Sequence, residues 1–106
     1  MATIDDFKKI ELRVAKIVEA EDHPNADRLY VLKVELGDKT KQAVAGIKAS
    51  YKKEELIGKL VVFVDNLEPA TLRGVQSQGM VLAAQDEAGI CVISPAREVK
   101  LGTTVK

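Results

Sequence analysis

A polar segment between two apolar runs contains the side chains of this sequence that are best suited to chemistry. The β-branched run Leu60–Val64 precedes it and residues 80–84 follow it, and both runs are typical of buried strands. Residues 66–79 lie between them and include Arg73, two glycines and several amide and hydroxyl groups. Binding residues often lie on such a connection between rigid strands. The segment is therefore a candidate binding site, the alternative being an ordinary loop.

Catalytic and metal-binding chemistry have few candidate residues. The one histidine, His23, precedes a proline in a turn-forming stretch, which predicts a surface or turn-stabilising role. The one cysteine, Cys91, lies in the apolar stretch Gly-Ile-Cys-Val-Ile, which predicts a buried thiol. A structural metal site needs several such ligands at defined spacing, and no glycine-rich phosphate loop precedes a helix. We expect no catalytic residue, no metal and no cofactor.

Composition predicts a single domain, residues 1–106, with 46% apolar and 30% charged residues. No apolar run approaches the roughly 20 residues that span a bilayer, so no membrane partner is expected. The acidic start of the chain and the single cysteine fit a cytoplasmic protein. Sixteen basic and sixteen acidic side chains give zero net charge. This balance argues against binding nucleic acid by bulk charge, but a local basic face with modest affinity stays open.

Short alternating stretches separated by turns predict an all-β barrel. The predicted strands are residues 11–20, 29–36, 40–47, 60–64, 80–84 and 90–93. The first strand alternates imperfectly, which predicts a bend or bulge. Residues 4–10 and 51–56 are predicted to form short helical segments. Three strands, a short helix and further strands match a five-stranded oligonucleotide/oligosaccharide-binding (OB) fold, with an SH3-like barrel as the alternative.

Barrels of this kind bind nucleic acid with one face and its flanking loops. The aromatic content is only 4%. Phe63 belongs to a predicted buried strand and Phe7 to the amphipathic start, which leaves Tyr30 and Tyr51 as candidates for stacking on bases. Proteins that bind single strands depend on such rings. We therefore expect recognition of structured RNA by its shape.

Three stretches carry a resemblance to a known family. They are residues 6–17, residues 23–30 with His-Pro-Asn-Ala-Asp-Arg-Leu-Tyr, and residues 66–80 with Asn-Leu and Arg-Gly-Val-Gln-Ser-Gln-Gly-Met. Together they resemble the tRNA-binding domain family, and the resemblance covers nearly the whole chain. That family includes the C-terminal domain (or β subunit) of methionyl-tRNA synthetase, free-standing structure-specific tRNA-binding proteins and a bacterial secretion chaperone.

The resemblance implies an OB-fold that binds the outer corner, or elbow, of tRNA without reading its sequence. Arginines can clamp phosphates, amides and hydroxyls can bind phosphate or ribose, and methionine offers an apolar contact. Core packing is the alternative role for the methionine, and a turn role is the alternative for the asparagine. The residues implied on the tRNA face are Arg28, Lys33, Asn66, Arg73, Ser77, Gln78 and Met80.

The resemblance also implies partners. In the dimeric branch of the family, segments outside the barrel pair two subunits, and apolar residues at both ends of this chain have no place in a minimal barrel. The candidate dimer residues are Ile4, Phe7, Ile10, Pro95, Val99 and Leu101. The alternative is that the ends cap the barrel of a monomer.

The expected function is that of an auxiliary tRNA-binding and dimerisation module of methionyl-tRNA synthetase, with aminoacylation on a separate catalytic chain or domain. Residues 68–71, Glu-Pro-Ala-Thr, stand where family members often carry lysines. A peptide-binding chaperone dimer on the same fold is therefore an alternative. A protein-interaction module within a synthetase complex is another.

Overall fold

Five antiparallel strands curl into a nearly closed barrel, so the predicted OB-like fold is confirmed. The structure is a computed structural model that describes all 106 residues. Neither helix has the length and apolar character needed to cross a membrane. The elements are α1 (Ile4–Lys8), β1 (Leu12–Asp22), β2 (Tyr30–Glu35), β3 (Thr40–Ala45), α2 (Lys53–Leu56), β4 (Leu60–Val64), β5 (Ala70–Leu72), β6 (Val75–Ser77), β7 (Met80–Val81), β8 (Ala83–Asp86), β9 (Gly89–Val92) and β10 (Thr104–Val105).

Strand β1 is the centre of the main sheet, whose order is β3-β2-β1-β4-β7. Its first half pairs with β4 and its second half with β2. The register with β2 shifts between Ile17 and Glu19, which allows the long strand to bend from one neighbour to the other. The irregular alternation of this strand predicts that feature. The short β10 adds to the same strand at Leu12 and Arg13, a pairing that the sequence did not suggest.

The core fills the barrel with side chains that alternate along the strands. Leu32 and Val34 of β2 are fully buried, and so is Phe63 of β4. Tyr30 is buried with them, and its hydroxyl donates to the Tyr51 carbonyl oxygen at 2.7 Å. The Tyr51 hydroxyl in turn accepts from the backbone N–H of Val92 at 3.1 Å. The expectation that Tyr30 stacks on a base is therefore wrong, because its ring packs in the core.

The polar segment is not an irregular loop. Strands β5 and β6 form an antiparallel hairpin within it, and their register pairs Leu72 with Val75. The predicted strand at residues 80–84 is also divided: β7 pairs with β4, and β8 pairs with β9 in a separate hairpin. The candidate site therefore stands on a short, defined element.

The predicted burial of Cys91 is wrong, because this residue is exposed. Cys91 lies on β9, which pairs only with β8. One face of this two-stranded hairpin packs against the barrel, and the other face, which carries Cys91, is exposed to solvent. Val92, the next residue, points inward and is buried. An apolar run on a two-stranded hairpin alternates between core and solvent, unlike a strand in the middle of a sheet.

Candidate nucleic-acid interface

The β1–β2 loop (residues 23–29) and the β5–β6 hairpin are joined by hydrogen bonds. His23 Nδ1 accepts from the N–H of Asn25 at 3.0 Å, so Nε2 carries the proton and donates to the Leu72 carbonyl oxygen at 2.9 Å. Asn25 Nδ2 donates to the Arg73 carbonyl oxygen at 3.2 Å. His23 stabilises the turn, as predicted, but it is buried rather than on the surface. In OB-folds, loops at these positions frame the ligand face.

Arg73 lies at the tip of the hairpin in an unusual backbone conformation. Its φ is +53° and that of Gly74 is +88°, values that fit a two-residue type I′ turn. No other non-glycine residue in the chain has a positive φ. This conformation costs a residue with a Cβ atom about 1–2 kcal/mol. The guanidinium is exposed, and its one polar contact is a 3.4 Å bond to the Asn25 carbonyl oxygen.

Arg28 and Lys33 lie at different places relative to the hairpin. Arg28 is exposed on the same β1–β2 loop that contacts Arg73, and no carboxylate pairs with either arginine. Lys33 is half-buried on β2, in register with Glu19 of β1 and Gln42 of β3. The two arginines therefore lie on two segments that are hydrogen-bonded to each other, whereas Lys33 lies on the sheet beside an acidic residue.

Ser77 and Gln78 are used to close the barrel between β3 and the turn that joins β6 to β7. The Ser77 hydroxyl accepts from the N–H of Val44 at 3.0 Å and donates to the Gly79 carbonyl oxygen at 2.9 Å. Gln78 Oε1 accepts from the N–H of Gln42, and the Gln78 N–H donates to the Gln42 carbonyl oxygen, each at 2.8 Å. Ser77 is buried. These polar groups stabilise the seam of the barrel, a role that the residue types alone do not reveal.

Gly79, in the same motif, is required by a close approach to the core. A Cβ atom at this position would lie 2.3 Å from Cζ of the buried Phe63 and 2.6 Å from the Val64 carbonyl oxygen. Both distances are far inside van der Waals contact. The Ser-Gln-Gly portion of the motif thus shapes the fold.

Met80 is 46% exposed, so it does not take the alternative role of core packing. It lines a cleft of about 220 Å³ together with Leu67, Leu72 and Ser77, between the hairpin and the end of β3. An apolar, adaptable side chain next to this hairpin can contact a sugar or a base face.

Asn66 is hydrogen-bonded to the start of the chain. Its Oδ1 accepts from the N–H of Glu11 at 2.8 Å, and its Nδ2 donates to the Lys9 carbonyl oxygen at 2.7 Å. Both ends of the side-chain amide are therefore engaged within the protein.

A buried carboxylate next to it, Asp65, was not singled out by the sequence. Its carboxylate oxygens lie 3.0 Å from Arg13 Nη1, 2.9 Å from Lys39 Nζ and 2.7 Å from Lys41 Nζ. Burial opposes ionisation of Asp65, but the three cations outweigh it and lower the pKa of this carboxyl group to about 2. Arg13 also donates to the carbonyl oxygen of Gly102 at 3.1 Å. This cluster joins four parts of the chain and has no signal in local sequence, because its members are far apart along it.

The candidate dimer residues occupy several places. Ile4, Phe7 and Ile10 are exposed, whereas the three in the tail are half-buried. Leu101 precedes Gly102, which Arg13 holds near the start of β1, so this residue lies toward the same end as the N-terminal segment. Pro95 instead lines a separate polar groove with Lys16, Lys59 and Arg97, among others.

Residues 12–104 match the family described as "Putative tRNA binding domain", and the chain belongs to this family. It is 57% identical over 104 residues to methionine–tRNA ligase of Thermococcus kodakarensis, which is 98% of this chain and 14% of the relative. It is 47% identical over 107 aligned positions to that of Deinococcus radiodurans, covering 16% of it. The chain is therefore a tRNA-binding domain of the kind that forms part of methionyl-tRNA synthetases, and it spans about a seventh of the length of these relatives.

Two solved structures superpose on nearly the whole chain. The crystal structure of a MetRS-related protein from Pyrococcus horikoshii superposes with a TM-score of 0.92 at 34% identity, covering 100% of this chain and 98% of that one. The CsaA chaperone protein from Picrophilus torridus superposes with a TM-score of 0.94 at 34% identity, covering both chains fully. The chain is thus similar both to a synthetase-related protein and to a chaperone.

Proposed function

We propose that this chain binds the outer corner of L-shaped tRNA without reading its sequence, as the auxiliary tRNA-binding and dimerisation module of a methionyl-tRNA synthetase. The observation that carries the proposal is the junction of the β1–β2 loop with the β5–β6 hairpin. Arg28 lies on the loop and Arg73 at the tip of the hairpin, both exposed and without carboxylate partners. Two arginines on a preorganised surface suit phosphate groups at a fixed spacing.

The backbone of Arg73 supports the same proposal. Asn and Gly adopt a positive φ more readily than Arg does, so an arginine at this turn costs conformational energy. Strained residues tend to occur where they serve a function. Binding of phosphate by a guanidinium at the tip of the hairpin is the function that would offset this conformational cost.

Recognition by shape follows from the groups that remain available on this surface. Tyr30 is in the core and the hydroxyl of Ser77 is bonded within the protein, so stacking rings and side-chain donors for base edges are scarce. Cations and the exposed Met80 contact phosphate, sugar and the faces of bases, none of which encodes sequence strongly. The zero net charge of the chain fits a modest affinity.

The module would act by tethering. A tRNA held by this domain has a raised local concentration at a linked catalytic site, where methionine activation and aminoacylation take place. The exposed Ile4, Phe7 and Ile10 form the apolar surface through which a second copy would bind. The catalytic chain and the second copy are both partners in this proposal.

The experiment for RNA binding titrates the chain with mixed tRNA over a range of salt concentrations, with an unstructured RNA of equal length as the control. We expect preference for tRNA, indifference to the anticodon, and weaker binding as salt rises. Arg28→Ala should weaken tRNA binding about tenfold and reduce the slope of log affinity against log salt by about one. Arg97→Ala removes the same charge from another groove and should change the affinity by less than about twofold. Equal or absent binding of both RNAs would overturn the proposal.

The experiment for dimerisation measures mass in solution by sedimentation. Phe7→Glu places a charge on a 43% exposed apolar residue and should shift the chain from dimer to monomer without unfolding it. Lys8→Glu, also in α1, is the matched control, because it changes an exposed residue that is already polar. An unchanged mass for Phe7→Glu would remove the N-terminal segment from the interface.

A second candidate function, peptide binding, is favoured by an apolar groove and by the similarity to the CsaA chaperone. The groove has a volume of about 370 Å³ and lies between the end of β3 and the β7–β8 region, lined by Ile47, Val81 and Ile90, among others. An unfolded precursor peptide should displace tRNA or bind more tightly than tRNA if this is the main function. Preference for tRNA with no peptide binding would exclude it.

A further inference from the structure

The first eleven residues are attached to the barrel at one point. Every residue from 1 to 11 is exposed, and even Phe7 and Ile10, whose side chains are partly covered, are 43% exposed. Its hydrogen bonds to the rest of the chain involve two adjacent residues only. The N–H of Asp65 donates to the Glu11 carbonyl oxygen at 2.8 Å, and the side-chain amide of Asn66 bonds to Lys9 and Glu11.

Helix α1 cannot hold its own orientation. It has five residues and a capping box, in which the Thr3 hydroxyl accepts from the N–H of Asp6 and the Asp6 carboxylate accepts from the N–H of Thr3. A capping box specifies where the helix starts, but isolated helices of this length are not stable in water. The direction in which Phe7 faces therefore depends on the attachment at Asn66.

We infer that Asn66 is a positioning residue, not an RNA contact. It holds the N-terminal segment so that its apolar residues present a fixed surface to a second copy of this chain. Both halves of its amide are occupied by backbone groups, with bond lengths of 2.7 and 2.8 Å, so an RNA oxygen would have to displace one of them. The part that concerns the second copy rests on the proposed dimer.

The neighbouring Asp65 extends this role to the other end of the chain. Arg13 bridges its carboxylate to the carbonyl oxygen of Gly102, which precedes β10. The Asp65–Asn66 pair therefore fixes both terminal segments on one end of the barrel. The C-terminal segment is also held by the pairing of β10 with β1, whereas the N-terminal segment has only its hydrogen bonds to Asp65 and Asn66, so it depends most on this anchor.

The test is Asn66→Ala, examined by amide hydrogen exchange, sedimentation and tRNA titration. We expect the Glu11 amide to exchange at least about tenfold faster and the dimer to dissociate at least about tenfold more readily, as the loss of two hydrogen bonds implies. Asn66→Asp retains the acceptor for the Glu11 N–H and loses the donor to Lys9, so it should be intermediate. Asn25→Ala is the matched control, since it removes an amide that joins the two loops and should leave Glu11 exchange unchanged.

The tRNA titration separates positioning from RNA contact. It is carried out in the Phe7→Glu background, where dimerisation no longer contributes to the affinity. Asn66→Ala should then change tRNA affinity by less than about twofold. A loss as large as that of Arg28→Ala, or a Glu11 amide that stays protected, would overturn the inference. If Glu11 exchange rises but the wild-type chain is a monomer, Asn66 still positions the segment and it is the proposed dimer that fails.

Discussion

At the turn that contains Arg73, one substitution should raise the stability of the domain and weaken its binding of tRNA. Arg73→Asn removes the cation and replaces it with a residue that adopts a positive φ more readily. The bond from Asn25 Nδ2 to the carbonyl oxygen of residue 73 is retained, because that acceptor belongs to the backbone. The substitution breaks one side-chain hydrogen bond, the exposed 3.4 Å bond from the guanidinium to the Asn25 carbonyl oxygen.

The size of the effect follows from the conformation. A residue with a Cβ atom loses about 1–2 kcal/mol in the left-handed region, and Asn recovers part of this, so we expect a gain of about 0.5–1 kcal/mol in the free energy of unfolding. For a domain of this size that gain corresponds to a rise in Tm of about 2–8 °C. Loss of a charge-assisted bond to phosphate should weaken tRNA binding about tenfold at the same time.

The assay pairs urea unfolding with tRNA titration for wild type, Arg73→Asn and Arg28→Asn. Arg28 has no positive φ, so its replacement removes an equal charge from the loop bonded to the hairpin without relieving strain. Arg28→Asn should weaken binding and leave stability unchanged. A lower stability of Arg73→Asn than of wild type, or an unchanged affinity for tRNA, would contradict this prediction.

Three further perturbations test the fold around the site. Gly79→Ala should destabilise the domain by about 2–3 kcal/mol in urea unfolding, because its Cβ would overlap the buried Phe63; Gly46→Ala, which meets only an ordinary contact at 3.6 Å, should be nearly neutral. The pKa of Asp65 is lowered to about 2 by its cations, so its stabilisation, about 2 kcal/mol, is complete above its unfolded pKa near 4 and is lost as pH falls toward 2. That loss should be absent from the pH profile of Asp65→Asn. Ser77→Ala should cost about 1–3 kcal/mol of stability, measured by thermal unfolding, because it leaves the buried N–H of Val44 without a partner.

The elements that could be predicted from the sequence are those with strong local patterns. The alternation of β2 and the turn after it predict a hairpin, and the irregular β1 predicts the bend that the register shift confirms. The β5–β6 hairpin could not be predicted because its turn is Arg-Gly. Asn-Gly is the pair that usually indicates a type I′ turn, and arginine at the first position does not. β10 was missed because two residues carry no pattern, and only the presence of β1 beside them makes a strand.

The candidate site was harder to predict because identical residue types serve the fold and the ligand equally well. Arg28 and Arg73 remain exposed on joined loops, as binding residues would be. Nothing in the order of residues distinguishes a hydroxyl that faces RNA from the hydroxyl of Ser77, which caps the N–H of Val44 across the barrel. The Asp65 cluster is equally hidden, because three-dimensional convergence of distant charges has no local pattern.

The seam of the barrel, where Ser77 and Gln78 bond to β3, affects the tendency of the protein to aggregate. Strand β3 is an edge of the sheet order, and an open edge offers backbone N–H groups to any extended polypeptide it meets. Here Gln78 Oε1 and Ser77 Oγ occupy the N–H groups of Gln42 and Val44. The motif that resembles a nucleic-acid site thereby also protects the sheet against strand addition. A variant that opens this seam should form intermolecular β-structure. It should therefore aggregate under conditions in which the domain is still folded.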